Sequence, residues 1–180
     1  YNTKTIVPLY LTRTKTDSSI FEPNLPFLKK FPKADRFDVV GTATIIVDTL
    51  DNQLRTHQIV DVDFIKVDTQ GSELYILQGA NNILTHAIFG VEVEVEFNPM
   101  YNKQPLFADV DVLIRRLGFQ LFDLAPCFWK RKIGKSMGGA RGQIIYANAL
   151  YLKNPEIFAA TVSALKKDIR PSKIARAILI

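Results

Sequence analysis

The stretch from Asp63 to Ala80, DFIKVDTQGSELYILQGA, turns an apolar strand into a helix through a polar corner that contains a glycine. The apolar run begins earlier, with Ile59, Val60, Val62, Phe64, Ile65 and Val67. So continuous a run predicts a strand covered by helices on both faces, not one with a wet face. Lys66 and Asp68 interrupt it near its end. Gly71 permits a tight turn, Thr69 or Ser72 is placed to cap, and Glu73 occupies the first helical turn, where the helix dipole favours a negative charge. Leu74, Ile76 and Leu77 supply the buried face, and Gly79 ends the helix. In open α/β sheets, ligands and chemistry collect at such corners, at the carboxyl ends of strands.

Outward from the corner, the chain alternates in the manner of an α/β domain. Thr5 to Thr12 reads as a first strand, followed by a polar stretch with turns at Pro23, Pro26 and Pro32, and then by a short strand from Ala43 to Val47. Ile59 to Val67 is the central strand, Glu73 to Gln78 its helix, and Ile88 to Phe97 the next strand. Phe107 to Leu117 carries Val110, Leu113, Ile114 and Leu117 at the spacing of one helical face, closed by Gly118. Phe119 to Leu124 and Ile144 to Leu152 read as strands joined by a basic segment. Asn154 and Pro155 supply the N-cap and first-turn residue of a helix running to Asp168, and Pro171 separates it from a final amphipathic one.

The corner resembles the core signature of the FkbM-type methyltransferases, in which a strand ending Lys-x-Asp leads to a Gly-x-Glu corner and a Leu-x-Gly-Ala helix end. Here those positions are Lys66, Asp68, Gly71, Glu73, Leu77, Gly79 and Ala80. The resemblance extends upstream to Leu9 through Arg13, Glu22-Pro23-Asn24 and Thr49-Leu50-Asp51. Downstream it takes in Val93 through Phe97 and Tyr101, Gln104, Pro105, Leu106 and Phe107. It implies an S-adenosylmethionine-dependent O-methyltransferase with a Rossmann-like α/β sheet, mostly parallel, with a terminal antiparallel strand. Residues 1–152 would form part of that domain, with residues 153–180 as its helical extension. The implied partner is a small-molecule hydroxyl acceptor such as a sugar.

Rossmann-like methyltransferases hold their cofactor on a glycine-rich loop after the first strand, where a side chain would block close backbone approach. No Gly-x-Gly-x-x-Gly occurs here. Gly138, Gly139 and Gly142 follow the basic segment instead, and Gly134-Lys135-Ser136 has Trp129 where a phosphate loop needs glycine. The expectation is therefore a domain lacking its first strands, which would precede Tyr1, with its cofactor-binding residues outside this sequence. The alternative is a non-catalytic binding or interaction module derived from the same fold.

The chemistry expected of these residues is that of acids and bases. Asp68 is the leading candidate for the base that removes a hydroxyl proton, or for a contact to substrate or metal; its bland reading is a brace accepting hydrogen bonds from the Gly71 to Glu73 turn. Lys66 and Glu73 complete the catalytic set. Lys66 is placed to pair with either carboxylate or to snorkel at an edge, and Glu73 has a structural reading as a first-turn residue. Glu92, Glu94 and Glu96 alternate with valines and share one strand face, so they must be paired, hydrated or protonated. Glu94 and Glu96 are assigned to substrate or metal binding, and Glu92 to a basic partner or the sheet edge. Asn98, Tyr101 and Gln104 follow as hydrogen-bonding residues for a polyhydroxylated acceptor. No metal site is assigned, because His57 and His86 are isolated.

The chain of 180 residues is sized for one domain, and its 47% hydrophobic content is enough for a sizeable core. Its net charge of +5 comes largely from Lys130, Arg131, Lys132, Lys135 and Arg141 and from tail residues that include Lys166, Lys167, Lys173 and Arg176. We read these as a solvated loop and outer helix faces, and do not expect nucleic acid as a partner. Phe128 and Trp129 are read as hairpin packing. The one cysteine, Cys127, cannot form an internal disulfide, and no apolar run is long enough to span a bilayer, so a cytoplasmic protein without membrane partners is expected.

Overall fold

The computed structural model describes residues 1–133, 142–164 and 170–178; Gly134, Lys135, Ser136, Gly138, Gly139, Arg141, Lys166 and Lys167 lie outside the described residues. The strands β1 (Thr5–Thr12) and β2 (Val39–Val47) form a two-stranded antiparallel ribbon of their own, with Ile6 opposite Ile46 and Leu9 opposite Ala43. Pro8 is tolerated because both strands of a ribbon are edges. The main sheet holds β3 (Phe64–Val67), β4 (Gly90–Glu96), β5 (Phe119–Trp129) and β6 (Gln143–Lys153), in the order β3-β4-β6-β5. β3 and β4 are parallel, and β6 is antiparallel to both β4 and β5. The expected antiparallel strand is thus present, but inside the sheet and not at its edge. β3, β4 and β5 run in one direction and β6 alone runs against them, so the sheet is mostly parallel in strand direction although only the β3–β4 pairing is itself parallel.

The helices are α1 (Leu25–Leu28), α2 (Leu50–Thr56), α3 (Glu73–Gln78), α4 (Asn81–His86), α5 (Phe107–Arg116), α6 (Pro155–Ser163) and α7 (Arg170–Ile178). The sequence reading assigned no helix to the residues of α4. Asp51 in α2 starts it, accepting hydrogen bonds from Asn82 N at 2.8 Å and Ile83 N at 3.1 Å. The central strand is also shorter than its apolar run suggests. Ile59 N donates to Leu54 O at 2.9 Å and so closes the end of α2, which leaves Ile59 and Val60 exposed ahead of the strand. Asn154 Oδ1 caps α6 by accepting from Glu156 N and Ile157 N. Pro171 lies within the first turn of α7, where its missing N–H does no harm.

One core lies on the β4 face carrying Val91, Val93 and Val95. Ala149 and Ala147 stand opposite Val93 and Val95, and their small size leaves room for Leu77 and Leu84 of the helices and for Ile114 of α5. A second, aromatic core gathers Phe27, Phe31, Phe37, Met100, Tyr101 and Ile145, with Trp129 packed against Phe31, Phe37 and Tyr146. Trp129 is therefore hairpin packing, as read from the sequence. Lys173 and Arg176 are not simply solvated. Lys173 is buried and donates to Asp63 at 2.8 Å and to Val62 O at 3.2 Å, and Arg176 pairs with Asp61, so α7 is tied to the segment leading into β3.

Gly79 does end α3, but with φ of −78° it needs no left-handed freedom. Its lack of a side chain serves close approach instead: a Cβ there would lie 1.9 Å from the carbonyl oxygen of Tyr1, whose ring stacks on Tyr75. Gly79→Ala is expected to cost about 1–3 kcal/mol in denaturant unfolding. Removing Tyr1 and Asn2 from the variant should recover part of the loss. An unchanged unfolding midpoint in Gly79→Ala would show that the amino terminus does not pack here.

Candidate active site at the β3–α3 corner

Parallel pairing of β3 with β4 brings two strand ends side by side, with Lys66 opposite Glu92 and Val67 opposite Val93. Asp68 and Glu94 thereby emerge next to one another at the carboxyl end of the pair. The corner that follows is held from within by Glu73. Its Oε1 accepts from Thr69 N at 2.6 Å and from Thr69 Oγ1 at 3.0 Å, and Ser72 Oγ donates to Thr69 Oγ1 at 2.9 Å. The cap of α3 is therefore a carboxylate reaching back; Ser72 holds the N-cap position without a capping bond of its own. Gly71 takes φ of 105°, and Gln70 just before it takes φ of 58°, a left-handed conformation that costs a non-glycine residue energy.

Gln70 makes the most connections at the corner and was not singled out from the sequence. Its Nε2 donates to Asp68 Oδ1 at 3.2 Å and to Glu94 Oε1 at 3.1 Å. Its Oε1 accepts from the Tyr101 hydroxyl at 3.0 Å, and its backbone carbonyl from Ser19 Oγ at 2.6 Å. A polar residue beside a corner glycine was the available signal, since long side chains there can fold back over the strand end.

The expected site residues separate into a rim and a support. Asp68 is exposed, and Glu94 keeps 7% exposure beside it. Lys66 pairs with Glu92 at 2.5 Å, not with Asp68 or Glu73, which meets the expectation that Glu92 has a basic partner. Glu96, Tyr101 and Gln104 are buried behind the rim, and Tyr101 N donates to Gln104 Oε1 at 2.5 Å. In this position they pack against the back of the corner and support it. Glu73, at 2% exposure, braces the corner through its hydrogen bonds to Thr69. Asn98 latches the β5–β6 hairpin by donating to Ile144 O and accepting from Gln143 Nε2. A cavity of about 230 Å³ lined by Ser19, Thr69, Ser72 and Ile76 adjoins the corner, whereas cavities of about 600 and 550 Å³ lie away from these carboxylates.

Burial dominates the electrostatics. It pushes Glu94 up to about 7, helped by the charges of Asp68 and Glu73 and opposed by the Gln70 hydrogen bond and Lys66. Burial lifts Glu96 well above the carboxylate range, with Glu73 and Glu94 adding to the rise. Burial raises Glu73 too, but backbone amides at Glu73, Thr69 and Gly71 oppose it. The charge of the Glu73–Glu96 pair therefore rests on Glu73 and the proton on Glu96, whose Oε1 makes no hydrogen bond. Among the described residues, no group of three or more acidic, histidine or cysteine side chains is arranged to hold a metal ion.

No glycine of left-handed backbone among the described residues opens a cradle for a bound cofactor. A Cβ at Gly71 would meet Gln104 and Phe21, at Gly118 Ile157, and at Gly142 the Trp129 carbonyl. Protein already fills each of these approaches.

Glu94 and Glu96 bind protons more tightly in the folded chain than in the unfolded one. The stability they contribute is thus present below the ordinary glutamate range and is lost as pH rises through about 7 for Glu94. Denaturant unfolding should show stability falling across that window. Glu96→Gln, a neutral isostere, should flatten the fall and gain on the order of 1 kcal/mol at neutral pH. A wild-type profile that rises from acid to neutral pH would contradict this picture.

Residues 3–121 match the methyltransferase FkbM domain family. Comparison with curated proteins and with solved structures returned no match. The family match spans the ribbon, the corner, both parallel strands and α5, and so covers every residue from which the corner is built. On that match, the chain belongs to the FkbM methyltransferase family.

Proposed function

We propose that this chain forms the acceptor side of an S-adenosylmethionine-dependent O-methyltransferase acting on a hydroxyl of a sugar or another small polyol. The observation that carries this reading is the convergence of Asp68, Gln70 and Glu94 at the carboxyl ends of two adjacent parallel strands, in a chain of a methyltransferase family. Methyl transfer requires an acceptor oxygen that is aligned and relieved of its proton. Exposed Asp68 is placed to hydrogen-bond an incoming hydroxyl, and Lys66, bound to Glu92, keeps a positive charge beside it. A carboxylate-rich rim favours neutral hydroxyl groups over phosphates and acids.

The cofactor is assigned to a segment that adds strands to the free edge of β3, completing a Rossmann-like sheet. Two observations support this: among the described residues β3 pairs on one side only, with β4, and Ile59 and Val60 lie exposed ahead of it at 50% and 89%. No helix among the described residues is long and apolar enough to cross a membrane.

Calorimetric titration with S-adenosylhomocysteine tests the assignment. The chain alone should give no binding heat, and the chain extended by its upstream coding sequence should bind and should transfer labelled methyl groups to polyols. Binding by the chain alone would overturn the split site. An extended chain that neither binds nor transfers would favour the interaction-module reading.

A further inference from the structure

We propose that Glu94 is the residue that accepts the acceptor hydroxyl's proton, and that Gln70 is the positioning residue whose side-chain amide turns over to hold Glu94 in both of its protonation states. The inference rests on the methyltransferase reading of this site. It begins with a count of protons. The Tyr101 hydroxyl has one proton, yet it faces two acceptors: Asp17 O at 2.9 Å and Gln70 Oε1 at 3.0 Å. It can satisfy only one of them fully.

The two possibilities correspond to the two states of Glu94. With Glu94 ionised, Gln70 Nε2 donates to Asp68 and Glu94 while Tyr101 donates to Gln70 Oε1, as the geometry shows. With Glu94 protonated, its O–H needs an acceptor. A half-turn of the amide places Oε1 toward Glu94 and Nε2 toward the Tyr101 oxygen, and the Tyr101 proton then goes to Asp17 O. The amide exchange moves almost no heavy-atom volume, so the buried network stays satisfied in both states. Exposed Asp68 takes hydrogen bonds from water when Gln70 turns away.

Asp68, by contrast, has no such arrangement. It is solvated, and its single protein partner at the corner is the same Gln70 amide. Glu94 is faced by Asp68 and Glu73 from the corner and α3, by Lys66 from β3, by Glu96 on its own strand, by Tyr101 from the following loop and by Tyr146 from β6. Burial, with charged Asp68 and Glu73 outweighing the one ammonium of Lys66 while Glu96 keeps its proton, makes Glu94 a stronger base than a free glutamate. In the step, the acceptor O–H bond breaks, its electron pair stays on oxygen, and the proton moves to the Glu94 carboxylate. Backbone strain at Gln70 is held by Ser19 and fixes the amide over the strand ends.

Nuclear magnetic resonance on the intact wild-type chain tests the coupling directly. The side-chain amide signals of Gln70 should shift with pH at the same midpoint as the Glu94 carboxyl carbon, near neutrality. Glu94→Gln should abolish that shift, and Gln70→Leu should move the Glu94 midpoint upward, because of the two hydrogen bonds lost the one to the charged carboxylate is the stronger. A Gln70 amide that ignores pH while Glu94 titrates would overturn the proposal, as would a Glu94 midpoint in the ordinary glutamate range. In the extended chain, Glu94→Gln should lower kcat on the order of 100-fold or more. Unchanged transfer in that variant would refute the proton role and leave the methyltransferase reading standing. Absence of transfer by the wild type would defeat that reading itself, and this role with it.

Discussion

A carboxylate carried below the surface must be satisfied where it stands, and the burial of Glu73 is the constraint on which the rest of this structure depends. Its side chain reaches back to Thr69, and the turn from β3 into α3 is wound around that contact. The winding forces Gly71 and Gln70 into left-handed backbone. Once Gln70 is so placed, its side chain falls across the ends of β3 and β4 and joins Asp68 to Glu94. A single buried charge thus sets the geometry of the groups at the ends of β3 and β4. Removing it would leave backbone amides unsatisfied as well as open the turn.

The ribbon and the aromatic core serve the same corner from the other side. Ser19 bridges to Tyr10 of β1 through backbone hydrogen bonds and donates its hydroxyl to the Gln70 carbonyl. Tyr101, packed against Phe37, sends its hydroxyl to Asp17 and Gln70. The strained residue is therefore clamped by groups anchored in two separate pieces of structure, which is how such strain persists. The overall positive charge of the chain says little about this site. Locally the site is acidic, and Lys66, the cation nearest the carboxylates, is already engaged with Glu92.

Much of the fold was legible because it rests on local chemistry. The period of α5, the asparagine cap of α6 and the glycine at φ of 85° after α5 are properties of neighbouring residues. The pattern of Glu92, Glu94 and Glu96 against valine placed three carboxylates on one face of β4, where they are found. Less legible were the features that depend on a partner far along the chain. Gly79 ends α3 as read, but its close approach to Tyr1 was not visible in the local sequence. Ile59 and Val60 looked like strand and became the close of α2. Lys173 looked like a solvated cation and became a buried clamp on Asp63.

By itself the sequence determined the class of the domain, the family signature and the place of the corner, because each is written in residue types at short spacings. Which acidic residue lies at the rim of the corner and which behind it was decided only by tertiary structure. Asp68, Glu73, Glu94 and Glu96 are alike as side chains, and their roles differ through burial and hydrogen-bond partners. Glu73 became a brace, Glu96 a proton holder and Glu94 the rim residue beside Asp68, since desolvation and neighbouring charge act through distance in space and not along the chain.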